Sequence, residues 1–171
     1  TNQVVRYQHN PDKPNSLSSN EVLSISEDQD GMLWLGTGSG LDRFDRKSFS
    51  FKHYRQDSDN PASLSANRVY EVYVDSRNNV WVGTAAGLDR FDRATESFTH
   101  YQPKTTDINS LSGTMVNSIL EDSRGNLWVG IEDSGLNRLS DGQFTLYTSK
   151  EGLSGNHVLS LYEDRKGNIW I

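Results

Sequence analysis

The sequence contains no cysteine, only four prolines and no long apolar run. Without cysteine, disulfides and thiol chemistry are excluded, and the redox compartment stays open. No apolar stretch approaches the ~18 residues of a membrane-spanning helix, so we expect membrane contact only through segments outside this chain. Acidic residues outnumber lysine and arginine by 23 to 17, giving a formal net charge of −6. Because binding to a phosphate backbone needs clustered basic side chains, no nucleic-acid partner is expected.

What the sequence does contain is a repeat. Four related stretches each hold one tryptophan: EDQDGMLWLG, VDSRNNVWVG, EDSRGNLWVG and EDRKGNIWI. The tryptophans are Trp34, Trp81, Trp128 and Trp170, spaced by 47, 47 and 42 residues. Recurrence of this kind within one chain predicts a repeat architecture. Aromatic residues make up 10% of the chain, which favours a folded domain over disorder.

Each copy divides into four short segments separated by turn residues. In the first copy these are VLSISED, LWLGT, LDRFD and FSFKHY, which are rich in β-branched and aromatic residues. A helix is the competing interpretation, since Val22 and Ile25 are three residues apart, but the run is too short for one. Four antiparallel strands per repeat predict an all-β fold built of β-propeller blades.

The boundaries of the repeats predict a single propeller region over residues 1–171. Complete blades are expected at 16–54, 63–101 and 110–147, and the inner hairpin of a further blade at 152–171. Residues 3–8 are expected to be the outer strand of a preceding blade, because Tyr7 aligns with Tyr54 and Tyr101. We expect a fragment of a larger propeller; closure into a small four-bladed ring, or completion of the ring by a second copy, are the alternatives.

The pattern DxxGxxW has a local structural explanation. Its aspartates can accept backbone N–H bonds within the hairpin turn, and they are Asp28, Asp75, Asp122 and Asp164. The glycine that follows can take a positive φ, and Asn78 replaces it in the second copy. Leu33, Trp34 and Leu35 are consecutive apolar residues, as in a strand covered on both faces. We therefore predict that each tryptophan is wedged between neighbouring blades.

The full pattern, SLSxNxVxSIxEDxxGxLWxGTxxGLxRFD, resembles the two-component regulator propeller repeat. This family implies a periplasmic ligand-sensing region of bacterial hybrid histidine kinases and some diguanylate cyclases, commonly built of seven-bladed propellers. Several members respond to oligosaccharides. The third copy departs from the pattern: Ile131 replaces threonine, one residue is inserted at 132–133, and Asn137 and Leu139 replace Asp and Phe.

No arrangement of residues indicates catalysis, a metal or a cofactor. Glu27 and Asp28 are adjacent on a strand and should point to opposite faces. DQDG at 28–31 resembles a calcium loop faintly, but the other copies lack its second aspartate. GTGSG precedes a strand rather than a helix, so it cannot cradle a phosphate at a helix N-terminus. We predict that this segment is not an enzyme.

Positions at which otherwise faithful repeats diverge are the natural candidates for specificity. Such positions flank the first valine of each copy or lie in the turn between the second and third strands. We predict that a ligand, an oligosaccharide by resemblance, contacts Arg68, Tyr70, Asn117, Glu132 and His157. The alternatives are unselected surface, a protein-interaction scaffold that forms homodimers, and a propeller lyase or hydrolase.

Overall fold

A computed structural model describes residues 4–171 and shows three four-stranded antiparallel sheets followed by a small hairpin. The first sheet contains β1 (Val22–Glu27), β2 (Leu33–Thr37), β3 (Gly40–Asp45) and β4 (Ser50–Tyr54). The second contains β5 (Val69–Val74), β6 (Val80–Thr84), β7 (Gly87–Asp92) and β8 (Ser97–Tyr101). The third contains β9 (Val116–Glu121), β10 (Leu127–Ile131), β11 (Gly135–Ser140) and β12 (Gln143–Tyr147). A 3₁₀ turn, Ser149–Glu151, precedes the hairpin of β13 (Tyr162–Glu163) and β14 (Ile169–Trp170).

The predicted all-β fold of three complete blades and a partial one is confirmed. Within each sheet the strands pair in chain order, as consecutive hairpins require. The first strands β1, β5 and β9 lie beside one another, so the sheets stack face to face around their inner edges. None of the helical structure in residues 4–171 is long and apolar enough to cross a membrane.

The apolar core lies between the blades. Trp34 is fully buried, with its ring 5.9 Å from that of Tyr54 and 4.9 Å from that of Phe91 in the second blade. Trp81 is also buried and packs in the cluster between the second and third blades. Trp170 is 62% exposed because no described blade follows the hairpin. The predicted wedge between blades is thus present where a following blade is present.

The glycine of the LWxGT segment marks the closest approach between blades. A Cβ atom on Gly36 would lie 2.8 Å from a side-chain carbon of Val69 in the next blade. The same holds for Gly83 against Val116 at 2.7 Å. In each case a methyl group would occupy space that the next blade's first valine already fills. The recurring glycine and the recurring valine therefore form one contact.

The expectation that the N-terminal segment is the outer strand of a preceding blade stays a prediction. Residue 3 lies outside the described residues, and residues 4–8 are not paired as a strand. A strand needs a hydrogen-bonded partner, and among residues 4–171 no strand pairs with this segment. Tyr7 nevertheless contacts Phe44 and Phe51, with ring centroids at 4.8 and 5.8 Å. Tyr54 contacts the second blade in the same way, so Tyr7 occupies the equivalent place on the first.

Candidate functional site at one end of the blades

The aspartates of the DxxGxxW turn are occupied by structural hydrogen bonds. Asp28 accepts from the backbone N–H groups of Asp30 and Met32 through Oδ1, and from the indole N–H of Trp34 through Oδ2. Burial raises the pKa of Asp28, but these bonds, together with Arg93, outweigh it and lower the pKa overall.

The bond between aspartate and indole recurs in the other copies, as Asp75–Trp81, Asp122–Trp128 and Asp164–Trp170. At the turn glycine, Gly31 has a φ of 79° and its substitute Asn78 a φ of 64°.

Two histidines of the repeat are paired with buried aspartates. Nδ1 of His53 lies 2.7 Å from Asp42, and Nδ1 of His100 lies 2.7 Å from Asp89. Burial raises the pKa of Asp89. Burial lowers the pKa of His100, but its hydrogen bond to Asp89 raises it by more, so the net shift is upward. The backbone N–H of Ser65 also donates to Asp89. These hydrogen bonds therefore hold the loop between two blades in place, through Ser65 of the SLS segment, Asp89 and His100.

Sequence reasoning missed these pairs, although a signal for them was present. In the third copy, Asn137 replaces the aspartate and Leu146 replaces the histidine, so both partners change together. Asn137 accepts from the backbone N–H of Ser112 and donates to its hydroxyl, which satisfies the buried amide without a histidine. Such a joint change within one chain indicates direct contact.

A β-bulge near the start of β1, β5 and β9 frees one side chain of each strand from the regular ladder. The register shifts between Val69 and Glu71, which leaves Tyr70 without a partner on β6. The equivalent shift in the third blade leaves Asn117 unpaired on the ladder. A bulge re-aims the side chain that it releases. The bulge therefore sets the direction of the Tyr70 and Asn117 side chains, which do not follow the usual alternation of side chains along a strand. Both residues were predicted because they differ between the repeats.

The five predicted ligand-binding residues lie at the same end of the blades but form two groups. This end carries the N-termini of the inner strands and the turns between second and third strands. The first group joins Arg68 and Tyr70, with the guanidinium carbon 5.5 Å from the ring centroid. Arg68 also donates to both carboxylate oxygens of Glu21, at 2.8 and 3.2 Å, across the junction of the first two blades.

The second group lies where the third blade meets the hairpin. The side-chain amide of Asn117 donates to Glu132 at 3.1 Å. Nδ1 of His157 lies 3.2 Å from Oδ1 of Asp133. Asp133 belongs to the turn that the inserted residue creates, and it has a φ of 54°. Among residues 4–171, no hydrogen bond joins this group to Arg68 or Tyr70. Glu21 and Asp133 complete the two groups and were not among the predicted residues.

Comparison with known proteins identifies the repeat. A family model described as "Two component regulator propeller" matches residues 16–39, 63–86, 110–133 and 152–171. No curated protein gives a significant match.

Among solved structures, the chain resembles the extracellular domain of the putative hybrid two-component system BT3049 from B. thetaiotaomicron. The identity is 30% and the TM-score 0.81, over 90% of this chain and 22% of that one. The corresponding domain of BT4673 from the same organism is 28% identical with a TM-score of 0.72, over 88% of this chain and 22% of that one. The chain therefore spans about a fifth of the length of these structures.

A more distant likeness concerns the fold alone. Virginiamycin B lyase from Staphylococcus aureus has 15% identity and a TM-score of 0.65, over 88% of this chain and 48% of that one. At that identity the shared blades say nothing about lyase chemistry. The family match, in contrast, covers the first two strands of every repeat and agrees with the neighbours of higher identity. The chain belongs to the two-component regulator propeller family, as an extracellular sensor propeller segment of the kind found in hybrid two-component systems.

Proposed function

We propose that this chain recognises a soluble ligand, an oligosaccharide, at the end of the blades that carries Arg68, Tyr70, Asn117, Glu132 and His157. In the receptor, recognition is passed to a kinase or cyclase domain. One observation carries the proposal: the β-bulges aim Tyr70 and Asn117, which differ from repeat to repeat, toward this end of the blades. The aspartates that recur in every repeat are instead occupied by hydrogen bonds within the fold.

The chemistry of these residues suits a sugar. An aromatic ring offers an apolar face to the C–H face of a pyranose, and the Tyr70 ring is only half-buried. Charged and amide groups beside it can hydrogen-bond hydroxyls in pairs. Arg68 with Glu21, and Asn117 with Glu132, are two such donor–acceptor pairs. Sites of this kind combine an apolar surface with a few well-placed polar groups.

The test is ligand binding by the intact receptor. A glycan array identifies the ligand, and calorimetry then compares wild type with Arg68→Ala and Tyr70→Ala. We expect each variant to weaken binding about tenfold or more, which corresponds to ~1.4 kcal/mol or more. Arg77→Ala is the matched control, because Arg77 lies in the β5–β6 turn at the opposite end of the same blade. Unchanged affinity and signalling in both site variants would contradict the proposal.

A protein-interaction scaffold is the second candidate, and exposed apolar side chains favour it. In the terminal hairpin, Tyr162 is 63% and Trp170 62% exposed, and Ile171 beside them is 56% exposed. Ile25 on the first blade is 60% exposed. Such surfaces suit packing against further blades of a longer receptor or against a second copy of this chain.

A further inference from the structure

We propose that Glu132, Asp133 and His157 bind a divalent transition-metal ion of the zinc type. Glu132 and Asp133 come from the turn between β10 and β11, and His157 precedes the hairpin, so the ligands come from two successive repeats. One potential ligand atom from each lies within 4.8 Å of the other two. Within residues 4–171, no other trio of histidine and acidic side chains is gathered in this way.

The spacing of two of these groups already suits a metal. Nδ1 of His157 and Oδ1 of Asp133 are 3.2 Å apart. Two ligands of a tetrahedral zinc ion, each bound at about 2.0–2.1 Å, are separated by about 3.3 Å. Asn117 donates to one carboxylate oxygen of Glu132 at 3.1 Å, which steadies that ligand as outer hydrogen bonds do in metal sites. The exposed side chain of Asp133 can adjust its rotamer, and water can complete the coordination.

The net charge of the Glu132, Asp133 and His157 group differs from that of the equivalent residues between the first and second blades. Between the first and second blades, the carboxylate of Glu21 is matched by the guanidinium of Arg68. At the junction after the third blade, two carboxylates face one imidazole. Even a protonated imidazole supplies a single positive charge, so the group retains an excess of negative charge. A divalent cation offsets that excess.

The donor set selects the class of ion. Calcium and magnesium take oxygen ligands almost exclusively, whereas zinc accepts imidazole nitrogen together with carboxylate oxygen. The third repeat alone has EDSG in this turn, where the first two have GSG and AAG, so the carboxylates are specific to this junction. Because the ligands come from successive repeats, a bound ion would join the third blade to the next one and stabilise the folded form.

The experiment is calorimetric titration of the intact protein with zinc chloride, at about pH 7.5 in a buffer that does not bind metals. We expect one site, with Glu132→Gln and His157→Ala each weakening binding about tenfold or more. Zinc should raise the melting temperature of wild type but not of His157→Ala, and EDTA should reverse the effect. Glu21→Gln is the control, because it removes a carboxylate at the matching junction and should leave zinc affinity unchanged.

The outcomes separate this site from zinc held elsewhere. Absence of binding by wild type overturns the proposal, and so does equal zinc affinity in wild type and both variants. Loss of binding in His157→Ala with full affinity in Glu132→Gln also overturns it, since the site requires both repeats' ligands in the stated roles. The titration needs no sugar, so its result is independent of the proposed ligand recognition.

Discussion

At the scale of single residues, the repeat motifs are explained by polar groups that must be satisfied once they are buried. Asp42 and Asp89 are fully buried, and each meets a histidine and a backbone N–H group. The third blade meets the same requirement with Asn137, a neutral side chain that needs no charged partner. Two solutions to one burial problem occur in one chain, and each consists of matched partners.

The first prediction is that Asp89 and His100 act as a unit. His100→Leu leaves a buried carboxylate without its partner and should cost about 2–3 kcal/mol of unfolding free energy. Adding Asp89→Asn should restore most of this loss, because the pair then matches that of the third blade. Urea unfolding of both single variants and the double variant measures the coupling. Additive effects of the two substitutions would argue against direct pairing.

The same variants have a pH signature. Because the folded state raises the pKa of His100, the contribution of this histidine is fully present below the unfolded value of about 6.5. It is lost as the pH rises through the raised folded value. The unfolding free energy of wild type should therefore fall between mildly acidic and alkaline pH by the contribution of His100. The double variant should lack this part of the fall, as urea unfolding at several pH values would show.

At the scale of elements, the spacing between blades depends on strands β2, β6 and β10, each of which brings its glycine against the first valine of the next repeat. The third such contact joins Gly130 to Val158, where an added Cβ would lie 2.5 Å from a valine methyl carbon. Because glycine has no side chain, the strand that carries it can approach the opposing valine closely. The tryptophan two positions earlier on the strand is buried in the first two blades, as Trp34 and Trp81.

The second prediction concerns Gly83. A Cβ at this position would lie 2.7 Å from Cγ1 of Val116 and 2.9 Å from its carbonyl oxygen, which cannot rotate away. We expect Gly83→Ala to destabilise the protein by about 1–3 kcal/mol through overpacking. Gly155→Ala is the control, since a Cβ there meets no atom within 4 Å. Equal unfolding midpoints for the two variants would contradict the prediction, because they would show that the blades can move apart at Gly83 with no loss of stability.

At the scale of the whole molecule, the described chain presents an incomplete blade at its C-terminal end. The indole of Trp34 is enclosed by the second blade, whereas that of Trp170 is mostly exposed although it keeps its bond to Asp164. The same sequence motif thus has a different environment according to what packs against it. An apolar sheet face of this kind is suited to association.

The third prediction is that this face mediates self-association of the chain. Sedimentation velocity over a range of concentrations should show association for wild type, and Trp170→Glu should reduce it by placing a charge on the face. Ile108→Glu is the control, because Ile108 is 94% exposed in the loop between β8 and β9 and does not belong to the terminal hairpin. A monomer at all concentrations, or equal effects of both substitutions, would oppose a role for this face in dimer formation.

Much of the fold could be predicted because the information for it is local and repeated. The strands and turns follow from short runs of β-branched and aromatic residues bounded by Gly, Asn and Asp. The candidate site was predictable only in part. Divergence between copies indicated Tyr70 and Asn117, but the bulges that aim them became visible only in the strand register. Glu21 was not selected, because nothing in the local sequence links it to Arg68.

The sequence by itself determined the repeat, the strand order within each blade, the turn chemistry and the family, because each depends on residues close together along the chain. Only the tertiary structure decided the partners across blades. Glu21 meets Arg68 across 47 residues, and Asp133 meets His157 across 24. Such contacts depend on how one sheet stacks on the next. The repeat pattern predicts that the sheets stack. It does not predict which of the variable side chains meet where two sheets pack together, because that depends on the tertiary structure.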